Sequence, residues 1–432
     1  MRHLAIIPIM LAGLTLPAGA PSAQPVSTAP PRSEWTAFTR RYLAGDGRVI
    51  DTANGGISHS EGQGYGLFFA EYFNDQASFA RIWQWTRVHL DRPTDALHAW
   101  RFDPHSTVPV SDFNNATDGD IYIAWALLRA AERWQMPEYH TWAVAIARDL
   151  LRCCTLAFEG RMLLMPGATG FVAQDGVKVN LSYYAFPALR ALSRAAPDPR
   201  WVRLEEDGMA LLQEASYGQW RLPPDWLLVQ PRRSGPPTIA PDQPPRFSWD
   251  ALRIPLNLAW AHSDAPTLTA AMRFWEDHSH AHSPPAWVDL RTGLTPPYAG
   301  HAGIRAVHAL ARARLSLPAA KPRVAEATDY YGAALLLQAS IAADMAVEAP
   351  ALVPLPGAAE ARTGFWEQVW DQGENILDEM RNEGENLLRW TLPHAQAAPV
   401  PAVDGAWSRA RMAPPQEVRG IQPGLRDRRP QP

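Results

Sequence analysis

The stretch Asn114–Trp134 reads NNATDGDIYIAWALLRAAERW, and Tyr139–Leu151 follows it as YHTWAVAIARDLL. From Ile121 onward, apolar residues recur at three- and four-residue spacing in both segments, which predicts two amphipathic helices. Pro137 interrupts the pattern between them, as a helix-breaking residue does. The sequence therefore predicts a helix pair, with a polar run at the start of its first helix.

The same spacing recurs along most of the chain between Glu34 and Glu348. It predicts nine further helices: Trp35–Leu43, Tyr65–Phe73, Phe79–Leu90, Tyr183–Leu192, Trp201–Leu212, Leu252–Trp260, Leu268–Trp275, Ile304–Leu315 and Tyr330–Met345. About a dozen paired helices would suit a closed double ring, so the expected fold class is all-α. A superhelical stack is the alternative, although no fixed-period repeat is present. Strand signals predict at most one small hairpin, within Met162–Met165 and Phe171–Val179.

Composition excludes several classes of protein. The chain has 432 residues, 47% of them hydrophobic, and a formal net charge of −4. It is too apolar for a disordered protein and too balanced in charge for a nucleic-acid binder. Its two cysteines, Cys153 and Cys154, are adjacent and cannot form a disulfide framework. Eighteen tryptophans suggest flat aromatic platforms as well as core packing.

The two ends of the chain differ from its centre. Positive charge at the N-terminus, an apolar run over Leu4–Leu16 and small residues after it predict a signal peptide at 1–23. We therefore expect a periplasmic or secreted protein with no membrane span once that peptide is removed. A helical domain is expected over 24–348. The extension 349–432 predicts an amphipathic helix at 365–390 and then a disordered Pro-rich tail.

The first motif is SEGQGYG at Ser60–Gly66. Three glycines around Glu61 are costly at the start of a helix, which indicates that something bulky approaches the backbone there. A nucleotide-binding loop is excluded, because the glycine spacing differs and no apolar strand precedes it. The alternative is that Glu61 caps the helix while the glycines allow close packing.

The second motif is Asn114–Asp120, which runs directly into the helix at Ile121. Asp118 or Thr117 could cap that helix. An Asp-x-Asp pair also raises a metal-dependent sugar transferase or a calcium loop. However, the chain lacks the nucleotide fold of the former and the further oxygen ligands of the latter.

Together, the two motifs resemble glycoside hydrolase family 8, the bacterial endoglucanase, xylanase and chitosanase family. The run Ala116–Asp120 and the positions after it up to Trp134 are similar to that family's signature, and Ser60–Gln63 is similar to the segment holding its general acid. Five shorter segments support the resemblance: Arg48–Asp51, Leu164–Gly167, Asn180–Tyr183, Pro224–Trp226 and Ser248–Arg253. Within the family, the chain is most similar to periplasmic cellulases encoded beside bacterial cellulose synthases.

The resemblance implies an (α/α)6 barrel and hydrolysis of a β-1,4-linked glucan with inversion. Inversion requires one carboxylic acid and one carboxylate ~6.5–9.5 Å apart, which act on the leaving oxygen and on water. The resemblance assigns Glu61 as the general acid, Asp250 as the general base and Asp118 as the residue that holds the sugar in a distorted ring. Arg253 would orient a carboxylate or the substrate. Alternatively, Asp250 is a helix cap paired with Arg253.

Four aromatic residues fall in segments similar to substrate-contacting parts of the family: Trp100, Tyr183, Trp226 and Trp249. Asp112 and Asn180 are two polar candidates for substrate binding. The aromatic side chains could stack on pyranose rings or belong to the core. The two polar side chains could bind sugar hydroxyls or fix loops.

Other functions stay open at this point. A non-catalytic polysaccharide-binding protein would keep the tryptophans but lose a carboxylate, and all three are present. A polysaccharide lyase is disfavoured by the scarcity of lysine (Lys178 and Lys321). Xylan, chitosan and mixed-linkage glucan are alternative substrates.

We expect neither cofactor nor metal, with His278, His280 and His282 in a solvated loop. We also expect a monomer that binds no nucleic acid. Its anticipated partners are the β-1,4-glucan and the cellulose synthase complex.

Overall fold

The computed structural model describes residues 29–277, 284–315, 317 and 322–345. Each of the eleven predicted helices is present in this part of the chain. They are α1 (Arg32–Tyr42), α2 (Ser60–Tyr72), α3 (Gln76–Leu90), α4 (Thr117–Trp134), α5 (Pro137–Cys153), α6 (Phe186–Ala195), α7 (Pro199–Glu214), α8 (Arg253–Trp260), α9 (Pro266–Asp277), α10 (Ala302–Arg314) and α11 (Tyr330–Asp344). The predicted signal peptide, the C-terminal extension and the three alternating histidines lie outside the described residues.

The helices form two concentric rings, as an (α/α)6 barrel requires. In the inner ring α2, α4, α6, α8, α10 and α11 follow one another, each packed on the next, and α11 closes on α2. Helices α1, α3, α5, α7 and α9 pack outside them. A short 3₁₀ turn, Val324–Glu326, lies against α1 and α11. The all-α prediction is confirmed, and the superhelical stack is excluded.

Burial explains which helices line the barrel. Every residue of α2 from Ser60 to Glu71 is buried, and α11 is buried on nearly all sides. Outer helices such as α5 and α7 have one apolar face and one exposed face. A helix that is apolar all round must be enclosed by others, whereas an amphipathic helix covers a core from outside.

Aromatic side chains fill the space between the inner helices. The ring of Phe68 stacks on Trp125 with centroids 4.6 Å apart, and Trp125 contacts Trp260 at 5.2 Å. These residues belong to α2, α4 and α8, so the core ties together the three helices that begin at the candidate site.

The described part of the chain contains more strands than the single small hairpin that the sequence predicts. Strands β1 (Ser58–His59) and β2 (Arg101–Phe102) pair, and β3 (Thr155–Phe158) and β4 (Arg161–Leu164) form a hairpin. Four antiparallel strands then form one sheet in sequential order: β5 (Val172–Ala173), β6 (Gly176–Val179), β7 (Leu227–Val229) and β8 (Thr238–Ile239). Strands β9 (Arg246–Phe247) and β10 (Val288–Asp289) form a further pair.

None of the helices in the described ranges is both long and apolar enough to cross a bilayer.

Candidate active site

Three inner helices begin at the same end of the barrel, and each brings a charged residue there. Glu61 is in the first turn of α2, and Asp118 is in the first turn of α4. Arg253 is the first residue of α8, three positions after Asp250. Residues that are nearly 200 positions apart in sequence therefore meet around one point.

Glycines bring the first two helices into contact. A Cβ atom on Gly119 would lie 2.4 Å from Ser60 Oγ and 2.6 Å from the Glu61 nitrogen. A Cβ atom on Gly64 would lie 2.9 Å from the Gly119 carbonyl oxygen. Only glycine allows the backbones of α2 and α4 to approach this closely. The sequence predicted that something bulky approaches the backbone of the first motif, and that neighbour is the start of α4. This contact places Glu61 beside Asp118.

The start of α2 is capped by His59, not by Glu61. The Gly62 N–H donates to His59 Nδ1 at 2.9 Å, and His59 Nε2 lies 3.4 Å from Asp51 Oδ2. Since Nδ1 accepts a hydrogen bond, the ring proton sits on Nε2 and faces Asp51. Sequence analysis missed His59, although its position directly before Ser60-Glu61 is a capping position.

Neither Asp118 nor Thr117 caps α4. The helix follows Ala116, which makes no side-chain cap, and the Thr117 hydroxyl donates to the Met165 carbonyl at 2.7 Å. Asp120 accepts hydrogen bonds from the His98 backbone and ring nitrogens at 3.0 and 2.8 Å. Asp118 and Asp120 therefore point to different partners, which disfavours a shared metal ion.

Arg253 joins the three candidate carboxylates. Its Nη1 lies 2.7 Å from Asp118 Oδ2 and 3.3 Å from Glu61 Oε1, and its Nη2 donates to Asp250 Oδ1 at 2.8 Å. Nη1 also donates to the Tyr65 hydroxyl at 3.0 Å. All five side chains are buried. One cation thus contacts three acidic groups in a site that is shielded from water.

This charge arrangement shifts the titration of its members. Burial alone would lower the pKa of Arg253, but Tyr65, Glu61 and Asp118 together raise it well above its usual value. Burial and the Glu61 carboxyl raise the pKa of Tyr65 in the same way. Arg253 therefore stays charged and Tyr65 stays neutral at every ordinary pH.

Asp225 lies beside this cluster and was missed. Its carboxyl accepts hydrogen bonds from the backbone of Ser248 at 2.9 Å and of Ala251 at 2.8 Å, on either side of Asp250. The sequence shows it only as the middle of Pro224-Asp225-Trp226, and a lone aspartate gives no sign of being buried. The surrounding prolines were the available signal, since they predict an ordered loop.

The candidate sugar-binding residues occupy different environments. Trp100 donates from Nε1 to Asp112 Oδ2 at 2.8 Å, and its carbonyl accepts from the Ser60 N–H at 3.1 Å. This pair therefore fixes the loop next to Glu61. Trp249 is half-buried and stacks on His301, with centroids 5.5 Å apart and planes 7° apart.

Three further candidates are enclosed by protein. The Arg253 guanidinium lies over the Tyr183 ring at 5.4 Å. Asn180 accepts from the Ser182 hydroxyl at 2.7 Å and caps a 3₁₀ turn, Leu181–Tyr183. Trp226 is 3% exposed and stacks on Phe171 at 6.1 Å. Their direct contact with a sugar stays a prediction.

Within the described part of the chain, no group of three or more His, Cys, Asp or Glu side chains is arranged to hold a metal ion.

The sequence matches the model of the glycosyl hydrolases family 8 over residues 10–344. The chain belongs to glycosyl hydrolase family 8. This family 8 hydrolase is 47% identical over 310 residues to a probable endoglucanase of Novacetimonas hansenii, covering 72% of this chain and 90% of that one. It is 39% identical to an endoglucanase of Cellulomonas uda, covering 65% of this chain and 77% of the relative.

A solved structure has the same architecture. The endo-beta-1,4-glucanase CMCax from Acetobacter xylinum superposes with a TM-score of 0.69 at 46% identity, covering 73% of the family 8 hydrolase and 98% of that chain. The predicted family and its barrel are thus confirmed.

Proposed function

We propose that this family 8 hydrolase is an endo-β-1,4-glucanase that cleaves its polysaccharide with inversion at the anomeric carbon. The observation that carries the proposal is the buried Arg253 with Glu61, Asp118 and Asp250 around it. The names of the relatives, endoglucanases of two genera, support the reaction and the substrate class.

The charge balance favours one protonated carboxyl group. Three ionised carboxylates around this guanidinium would place three negative charges against one positive charge in a buried site, which is unfavourable. Of the three contacts with Arg253, that of Glu61 is the longest, at 3.3 Å. Since the resemblance to the family places the general acid at this position, we assign the proton to Glu61. A protonated carboxyl is what the leaving glycosidic oxygen requires.

The proposed roles of Asp250 and Asp118 require these two groups to be deprotonated. Asp250 accepts from Arg253 at 2.8 Å and Asp118 contacts it at 2.7 Å, so the guanidinium pairs directly with both carboxyl groups. Asp250 contacts the second guanidinium nitrogen, whereas Glu61 contacts the first, which leaves the width of the guanidinium between the two groups. Inversion requires a base that activates water on the face opposite the acid, and we assign that role to Asp250. Asp118, next to the acid, would hold the sugar ring in its distorted form.

The setting in the cell is a further part of the proposal. The N-terminal apolar run favours export, and we infer a periplasmic or secreted enzyme linked to bacterial cellulose synthesis. The resemblance of the sequence to periplasmic cellulases encoded beside bacterial cellulose synthases supports that setting.

The test is viscosity and reducing-end release on carboxymethylcellulose, with wild-type protein, Glu61→Gln and Glu132→Gln. Glu132 is exposed near the C-terminal end of α4, so its variant makes the same chemical change far from the site. We expect rapid thinning by the wild type and by Glu132→Gln, and none by Glu61→Gln. A folded wild type that does not thin the polymer would contradict the glucanase, and xylan and chitosan would be assayed next.

A further inference from the structure

Asp225 holds the segment that carries the proposed base. Its Oδ1 accepts hydrogen bonds from the Ser248 N–H at 2.9 Å and the Ala251 N–H at 2.8 Å. Its Oδ2 is in a very short hydrogen bond with the Ser248 hydroxyl. Because these donors flank Asp250 in sequence, one carboxyl group fixes the backbone on both sides of the base.

The surroundings of Asp225 disfavour a negative charge. The residue is 5% exposed, and it makes no ion pair with any Arg, Lys or His that the structure describes. The Asp250 carboxylate is close enough to oppose its ionisation. Burial, and then the charge of Asp250, raise the pKa of Asp225 to about 7, and the hydrogen bonds from Ser248 and Ala251 offset this only in part. A buried carboxyl beside another anion, without a cation of its own, is more stable as the neutral acid.

We propose that Asp225 is a positioning residue for the base Asp250 and that it acts as a neutral carboxylic acid. In this form Oδ2 carries the proton and donates it to Ser248 Oγ, while Oδ1 still accepts from both backbone N–H groups. Because Asp250 must be the base, this inference rests on the proposed function.

The charges around Asp250 explain why the neutral form matters. Asp250 is faced by Arg253 from α8, and through that guanidinium by Glu61 from α2 and Asp118 from α4. A neutral Asp225 adds no further negative charge to this group. When Asp225 loses its proton, two carboxylates face each other across the turn, and their repulsion displaces Asp250 from its working position. In the wild type, kcat therefore falls as the pH rises through the pKa of Asp225.

The experiment compares Asp225→Asn with Asp225→Ala over about pH 6–8.5, around that pKa. The amide keeps the carbonyl oxygen for both N–H donors and replaces the acidic proton with an N–H. We expect Asp225→Asn to have a kcat close to that of the wild type at pH 6 and to keep it at pH 8.5, where the wild-type value declines. We expect Asp225→Ala to lose about 100-fold in kcat with little change in KM, because the base is misplaced while the sugar sites remain.

A purely structural role would give a different result. Both variants would then lose thermal stability, and kcat per folded molecule would have the wild-type pH profile; that outcome overturns the inference. If either Asp225 variant fails to fold, Ser248→Ala removes the hydroxyl on Oδ2 and Ser248→Thr restores it. We expect lower kcat in the first and recovery in the second, and equal kcat in both would also overturn the inference.

Failure of the proposed function is distinguishable from failure of this inference. A folded wild type that hydrolyses none of the β-linked polysaccharides overturns both. An active wild type that loses its activity in Asp250→Asn but has the same pH profile as Asp225→Asn overturns the role of Asp225 alone.

Discussion

The two ends of helices α2 and α4 hold opposite arrangements of charge. At the N-terminal end, the single cation Arg253 serves three carboxyl groups. At the C-terminal end, the single carboxylate Glu71 serves two arginines: Arg129 at 2.6 Å, and Arg133 in a very short contact. Both arrangements centre on a buried side chain, and they differ in which charge is in excess.

The difference indicates what each end does. Excess carboxyl groups around one guanidinium leave a proton that can be given away and a carboxylate that can take one up. Glu71, in contrast, is fully paired and 1% exposed, while its arginines reach towards solvent. These two ion pairs hold α2 against α4, and we assign them no part in the chemistry. This contrast supports our proposal that the acid-rich end performs the chemistry and that the arginine-rich end is structural.

The largest expected effect is at the acid-rich end. Glu61→Gln removes the proton donor and should lower kcat about 1,000-fold. Its thermal unfolding temperature should not fall, because the change removes a group from a site with excess negative charge. Reducing-end assays and thermal unfolding of the same preparation measure both quantities. If the variant lost activity only in proportion to its folded fraction, the two ends of the helices would not differ in function as we propose.

Asp118→Asn should have the next largest effect. The amide keeps the shape of the side chain but weakens its contact with Arg253 and its hold on the distorted sugar, so kcat should fall about 100-fold. Steady-state kinetics on cello-oligosaccharides measure this loss. If Asp118→Asn and wild type have the same kcat, Asp118 belongs to the barrel's structure and not to its chemistry.

At the opposite end, the expected loss is of stability. Glu71→Gln leaves Arg129 and Arg133 without their anion and should lower the free energy of unfolding by roughly 2 kcal/mol. The kcat of the folded variant should be unchanged, because Glu71 lies about 15 Å along α2 from Glu61, at 1.5 Å per residue. Urea unfolding and kinetics below the transition provide the two values, with Glu132→Gln as the control.

The last prediction, of about the same size, concerns pH. Burial lowers the pKa of His301 to about 4, although the charge of Asp329 opposes this. The unfolded chain binds a proton at an ordinary histidine pKa, so stability is present above about pH 6.5 and is lost as the pH falls towards 4. This contribution should amount to about 2 kcal/mol between pH 7 and 5, and it is measured as the difference between wild type and His301→Gln. Urea unfolding of both proteins at both pH values checks it, because groups that the two proteins share, such as Asp225 with its raised pKa, contribute equally to both.

The helices could be predicted because the barrel repeats one simple pattern. Apolar spacing located all eleven helices, but α2 was predicted to begin at Tyr65 and begins at Ser60. Gly62, Gly64 and Gly66 resembled helix breakers, because the low helix propensity of glycine is a local property that the sequence shows directly. Their benefit is tertiary and cannot be read from spacing, because Gly62 lies against Tyr330 and His59, Gly64 against α4, and Gly66 against Val49 and Ile82. The four-stranded sheet was missed for a related reason, because β6 and β7 are short and pair across an intervening helix pair.

The site was only partly predictable for the same physical reason. Glu61, Asp118 and Asp250 lie in motifs whose composition indicated chemistry, and Arg253 follows Asp250 by one turn. That a single guanidinium would reach all three is a result of where α2, α4 and α8 begin. His59 and Asp225 act through hydrogen bonds to the backbone, and their sequence neighbours give little indication of such contacts.

The central claim is that the acid-rich end hydrolyses a β-1,4-glucan with an acid and a base on opposite faces of the sugar. The most direct test is proton NMR of the anomeric signals during the first minutes of cellopentaose hydrolysis. An acid and a water-activating base must release the α-anomer first, with the β-anomer appearing later by mutarotation. Release of the β-anomer first would contradict the account, because Asp250 would then act as a nucleophile or another residue would do the chemistry.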